Sequence, residues 1–277
     1  MSPYLVLSVR LLWLICCLPL LSAARDVAPT RQRSAGRDEH VKGVPQPKRW
    51  AEFVKSASEG KVLQVPDEVY PLPRLRAAAA SETFNGKFRA EAKTSYSTAR
   101  KERTTDIGSL LTKLPTDAQM TNEHHELVAK DKNHQNHQPR IDREQRNVTV
   151  KAWLYWVARQ TDNDYHMIVG DTSQLTSQTV FMNTEISGLP LGGSNQQPFL
   201  GLRSTLRSTL ATYPNNNGAF VTPLPVGITG SLLWDGEHRN PNNVGPTKPL
   251  DIRPKKAWEI HPIHDFKPLT VNNQEIP

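Results

Sequence analysis

The stretch "NVTVKAWLYWVAR", residues 147–159, constrains the fold more than any other part of the chain. Its even positions are Val148, Val150, Ala152, Leu154, Trp156 and Ala158, so one face of an extended strand is wholly apolar. The odd positions run Thr149, Lys151, Trp153, Tyr155, Val157 and Arg159, and they turn apolar only in the second half. A period of two is strand geometry, and a strand this long whose second face changes character halfway is expected to curve into a barrel.

The segments that follow supply its neighbours. "TDND" is a turn, "YHMIVGD" a second strand, and "TVFMNTEISGLP" a third that stops at Gly188 and Pro190. "NQQPFLGLRSTLRSTLATYP" places Pro198 at a first helical position, with Phe199, Leu202, Leu206 and Leu210 along one side. Arg203 and Arg207 share another face of that helix. "PVGITGSLLWD" is a fourth strand with Val226, Ile228, Leu232 and Trp234 inward and a bend at Gly230. "AWEIHPIHDF" is the fifth, with Trp258 and Ile260 inward and Glu259 and His261 outward. This order predicts a mainly β fold over residues 147–268: a five-stranded OB-like barrel with one helix between strands three and four. An immunoglobulin-like sandwich is the competing architecture, and the helix in that place argues against it.

Residues 1–24 read as a signal peptide, with Arg10, the apolar run "LLWLICCLPLLSA" and cleavage near Ala23 or Ala24. The expected location is therefore periplasmic or extracellular. Cys16 and Cys17 both lie in this segment, and Ile15 before Cys16 argues against lipidation. The exported chain then holds no cysteine and needs a core that stands without disulfides. No second long apolar run follows, so no transmembrane segment is expected after cleavage.

The net charge of +7 is unevenly spread. Residues 25–49, a basic tail expected to be disordered, hold seven cations and three anions, whereas residues 147–277 hold ten of each. A neutral folded domain argues against a nucleic-acid partner; a cell-envelope polymer or a protein fits better. Between tail and body, residues 50–76 read as a short docking helix followed by an extended segment. Residues 77–146 read as a polar linker, mostly disordered, in which "LPTDAQM" is a turn packing back on the domain. His124, His125, His134 and His137 fall in this linker, where no cysteine or ordered scaffold supports a metal reading. Residues 269–277 form a C-terminal tail.

"VKAWLYWVARQTDNDYHMIVGD", "FMNTEISGLP", "PVGITGSLLWDGEH" and "AWEIHPIHDF" resemble a family of uncharacterised exported bacterial proteins. That family's pattern is a D-x-D-x-H strand, a glutamate–small–proline strand end, a V-x-G-x-L-x-x-D-x-x-H strand and a W-E-I-H-P ending. The resemblance covers residues 147–268 and implies an exported OB-like domain without an established activity. Some relatives carry cysteines just before the D-x-D-x-H strand; this chain has none there.

Four polar groups sit at strand ends: Asp162, Asp164 and His166; Glu185; Asp235, Glu237 and His238; and Glu259, His261, His264 and Asp265. Imidazole with carboxylate suits a divalent metal, and the metal candidates are Asp164, His166, Asp235, His238 and His261. The same residues also suit structural hydrogen bonds and strand-end caps. "DNDYH" lacks the glycine and terminal glutamate of a calcium loop. Trp153, Tyr155 and Trp234 are candidates for a stacking platform, with Glu185 and Glu259 as further binding residues. No Gly-rich phosphate loop, Ser-centred elbow or HExxH motif occurs. The expected function is a non-enzymatic binding or interaction module without a cofactor. The alternative is a metal-dependent, nuclease-like hydrolase using the His/carboxylate cluster, with Arg203 and Arg207 as the available arginines.

Overall fold

The structure, a computed structural model, describes residues 82–191, 196–213, 215–216, 218–239 and 250–269. The expected signal peptide, basic tail and docking segment lie outside the described residues, as do residues 270–277 of the C-terminal tail. Strand β1 is Asn147–Arg159, β2 Tyr165–Gly170, β3 Phe181–Ile186, β4 Asn215–Asn216, β5 Ala219–Trp234 and β6 Trp258–Pro268. The long helix between β3 and β4 is Gln196–Thr212.

Pairing runs β1–β2–β3–β6–β5, and β1 returns to β5, so five long strands ring round in one mixed sheet. The neighbours are antiparallel except β3 and β6, which meet in parallel through Asn183↔Glu259 and Thr184↔Ile260. β1 closes the ring by serving two partners. Asn147 to Ala152 pair with β5, and Trp153 to Arg159 pair with β2.

The register slips by one between Leu154 and Trp156, because Tyr155 is an extra residue on β1. Such a bulge bends a strand and exchanges its faces. Val148, Val150, Ala152 and Leu154 therefore continue into Val157, while Trp156 and Ala158 cross to the other side. The unbroken even-numbered face expected from the sequence ends at the bulge. A second irregularity falls at Gly230, where an added Cβ would come within 2.7 Å of the Pro262 carbonyl oxygen. Glycine is required there by close approach of β6.

One side of the sheet is mainly apolar: Val150, Met167, Met182, Ile228, Leu232, Trp258 and Ile260 are all fully buried, with Thr184 among them. In the long helix Phe199, Leu202 and Leu206 are buried as expected. Arg203 is buried with them. Its guanidinium lies 4.5 Å from the Tyr165 ring centroid and donates to the carbonyls of Asn163 (2.9 Å) and Ser187 (3.0 Å). Arg207 instead reaches Glu82 at the surface.

The expected disordered linker is corrected over residues 82–146. These residues form three short helices, α1 (Ala90–Thr94), α2 (Ile107–Lys113) and α3 (Asp117–Glu123), and bury Phe84, Phe88, Ala92, Ile107, Leu110, Met120 and Leu127. The long helix is thus α4. Asp106 caps α2 by accepting from the Ser109 N–H, and Thr116 with Gln119 forms a capping box on α3. "LPTDAQM" packs back on the domain, as the capped start of α3 rather than the expected turn, since the Trp234 and Trp258 indoles donate to Asp117 Oδ1 and the Pro115 carbonyl, both at 2.9 Å.

Polar anchors add to this apolar packing. Bridges join Thr83 to Leu189, Lys101 to Asn147 and Thr105 to Val150. Arg89 and Glu144, both buried, form a two-pronged ion pair at 2.7 and 2.6 Å. Arg89 also donates to the carbonyls of Trp234 and Pro139, and Glu144 accepts from the N–H groups of Trp234 and Ile141. Removing one member leaves the other as an uncompensated buried charge. Arg89→Met is expected to cost about 3–5 kcal/mol in urea unfolding. Arg143→Met, at the exposed pair with Glu123, is expected to cost about 0–1 kcal/mol by the same measurement.

Candidate functional site

Antiparallel pairing puts His166 opposite Glu185, and the parallel contact puts Asn183 opposite Glu259. Asn183 and Glu185 are two residues apart on one strand, so all four side chains share the face opposite Ile260. His261 follows Glu259 by two, through a cis His261–Pro262 peptide. Asp164, in the turn before β2, completes the group. His166 Nε2 is 2.8 Å from Glu185 Oε1, and His261 Nδ1 is 2.9 Å from Glu259 Oε1 and 3.1 Å from Glu185 Oε2. His261 Nε2 faces Asp164 Oδ2 at 3.4 Å. Asn183 Nδ2 donates to both Glu185 and Glu259.

This face was expected to be open, and it is not. Asp164, Glu185 and His261 have no exposed surface, and Glu259 and His166 are 2% and 4% exposed. The 82–146 segment packs over this part of the ring, and the long helix packs on β6 and β3 beside it. Asn85 donates its N–H to the Asp162 carbonyl, and Arg140 donates to the carbonyls of both Ala92 in α1 and His261 in β6. Burial pushes the Arg140 guanidinium down to about 10. Burial likewise pushes Asp164 well above the usual carboxylate range, reinforced by the charges of Asp162 and Glu185.

The expected set divides in two. Asp164, His166 and His261 come together with Glu185 and Glu259, whereas Asp235 and His238 form a second cluster around Lys93. Lys93 Nζ is 2.9 Å from Asp235 Oδ2, and His238 Nδ1 is 3.0 Å from the same oxygen. Burial alone would lower Lys93 and raise Asp235. Their mutual attraction reverses both, so Lys93 is held well above its ordinary value and Asp235 well below. Glu259 and Glu185 also act on Lys93 through space, so this ammonium links the two clusters electrostatically.

Several further expectations change. Tyr155 and Trp234 are fully buried, and Tyr155 donates its hydroxyl to the Thr172 carbonyl at 2.9 Å, so no stacking platform with Trp153 exists. The Tyr155 bulge and the contacts of Trp234 with α3 account for this. Glu237 pairs with Lys130, and His264 packs against the Tyr96 ring and Ser231. His124 meets Glu126, while His125 is 86% exposed. Lys93 and Asn183 were missed. The alternation that placed Glu185 on its face places Asn183 there too, whereas no local signal marks Lys93.

Compared with protein-family models, with curated proteins and with solved structures, the chain matches none.

His238 is held above its ordinary value because Asp235 outweighs the effect of burial. A raised imidazole stabilises the fold fully below about pH 6.5 and loses that contribution as pH rises through the folded value. Asp235 acts in the opposite sense, contributing above about pH 4 and losing it as pH falls. Unfolding free energy is expected to decline above about pH 6.5 in the wild type, with a flatter slope in His238→Gln. Equal slopes in urea titrations across that range would refute the assignment.

Proposed function

We propose that the chain is an exported, non-enzymatic binding or interaction module carried on an OB-like barrel. The closed pairing ring, its one parallel contact and the helix between the third and fourth long strands support the barrel reading. The resemblance to exported bacterial proteins and the leader-like first 24 residues support export.

The observation that carries the non-enzymatic reading is the sealing of the His/carboxylate cluster. A hydrolase must bring its scissile bond within hydrogen-bond reach of its acid, base or metal. Here the carboxylates and His261 lie beneath α1 and Arg140, and Arg203 is committed to Tyr165, Glu82 and two carbonyls. Two surface depressions, one beside His124 and Arg143 and one beside Leu175 and Lys255, include no residue of the cluster. The second joins the β2–β3 loop to residues 251–255 and sets Leu175, 37% exposed, beside Arg253 and Lys255. It is the proposed contact surface for a cell-envelope polymer or protein. Among the described residues no helix is long and apolar enough to cross a membrane.

The test pairs two measurements on the purified chain. With Mn²⁺ or Zn²⁺ and a phosphodiester substrate, no turnover is expected. Saturable binding to soluble cell-envelope polysaccharide is expected, weakened about tenfold in a Leu175→Asp, Lys255→Glu variant, corresponding to about 1.4 kcal/mol. Turnover that disappears in Asp164→Asn would replace this reading with the hydrolase.

A further inference from the structure

The three most deeply buried members of the cluster share a pattern. Each is fixed by one atom and leaves another without a hydrogen-bond partner. Asp164 Oδ1 accepts from the Gly188 N–H at 2.5 Å and from Ser187 Oγ at 3.3 Å, while Oδ2 has none. Glu185 Oε1 accepts from Asn183 and lies beside His166, while Oε2 makes no hydrogen bond and lies 3.1 Å from His261 Nδ1. His261 Nδ1 meets Glu259 Oε1, while Nε2 has none. Buried polar atoms are rarely left this way, because each loses its water without replacement.

The three residues converge. One ligand atom from each of Asp164, Glu185 and His261 lies within 4.8 Å of the other two. Asp164 Oδ2 and His261 Nε2 are 3.4 Å apart. Ligand atoms on a tetrahedral Zn²⁺, with bonds of about 2.0–2.1 Å, stand about 3.3 Å apart. The Glu259 carboxylate on Nδ1 selects the tautomer whose Nε2 lone pair faces the centre, the arrangement that orients metal-bound histidines. Two carboxylates and one neutral imidazole neutralise a dication, and the third carboxylate, Glu259, lies within electrostatic reach of Lys93. An imidazole ligand and a dry site do not suit Ca²⁺, which takes six to eight oxygens.

We propose that Asp164, Glu185 and His261 bind one divalent transition-metal ion of the Zn²⁺ class as a structural ion inside the domain. Glu259, Asn183 and His166 orient the ligands. The ion ties the turn before β2 to β3 and β6, across the parallel seam of the ring. This site stands whether or not the domain binds an envelope polymer.

The purified full chain, stripped with chelator and gel-filtered after Zn²⁺ addition, is expected to retain about one Zn²⁺ per molecule. At free Zn²⁺ about a hundredfold above Kd, Tm is expected to rise by about 5–10 °C. Co²⁺ is expected to give the visible absorption bands of a low-coordinate nitrogen and oxygen site, three positions held by Asp164, Glu185 and His261 and a fourth by solvent. Asp164→Asn and His261→Gln are expected to abolish retention. Glu259→Gln is expected to weaken it about 10–100-fold. Where the ligand variants do not fold, the wild-type stoichiometry, Tm shift and Co²⁺ spectrum decide. A wild-type chain that retains no Zn²⁺, shows no Co²⁺ band and keeps its Tm overturns the proposal. Stoichiometric Zn²⁺ that persists in folded Asp164→Asn and His261→Gln chains overturns it equally.

Discussion

The Arg89–Glu144 pair is the constraint on which the rest of the arrangement depends. It joins the start of the covering segment to its end and fastens both to the last residue of β5, through the Trp234 carbonyl and N–H. Without that fastening α1 has little apolar surface of its own to hold it, since Ala92 is its one buried apolar residue. Lys93 would then leave Asp235, and Arg140 would lose its Ala92 acceptor. A fully hydrogen-bonded ion pair contributes less to net stability than to uniqueness, because desolvation offsets much of its attraction. Here it selects one placement of a segment that hydrophobic burial alone would leave underdetermined.

The two polar clusters are opposite solutions to one problem. Around Asp235 the carboxylate is met by a lysine and an imidazole, and its proton affinity falls. Around Asp164 burial goes unopposed by any close cation and carboxylates are neighbours, so its proton affinity rises. Both clusters lie under the same cover within reach of Lys93, so their difference comes from the nearest partner rather than from depth.

Much of the ring was legible in the sequence because period-two alternation is a local property. The β1 alternation and Gly230 each follow from sterics within a few residues, and so does the helix after β3, although it starts at Gln196, two residues before the Pro198 expected to open it. The bulge was not legible, because Tyr155 becomes the extra residue only when β2 and β5 impose their two registers on one strand. The cover was misread for a related reason. Arg89, Lys93, Arg140 and Glu144 look like a solvated charge run when their partners lie far along the chain. Local signals did survive there, in the Thr116–Gln119 capping box and in the spacing of Ile107, Leu110 and Leu111. For the site, strand parity put Glu259 and His261 on one face, but bringing His166 and Glu185 beside them depended on strand pairing, and exposure depended on the cover; neither could be read from parity.

The parallel seam between β3 and β6 carries only two registered residue pairs, whereas β5 and β6 share eight. Asn183, Glu185, Glu259 and His261 sit on that seam and cross-link it through side chains. Backbone amides there have few ladder bonds to protect them from solvent exchange, so closure of the ring is a side-chain event. The polar cluster acts as the clasp of the sheet, and the order in which the ring opens is set by chemistry at one joint rather than by the length of its strands.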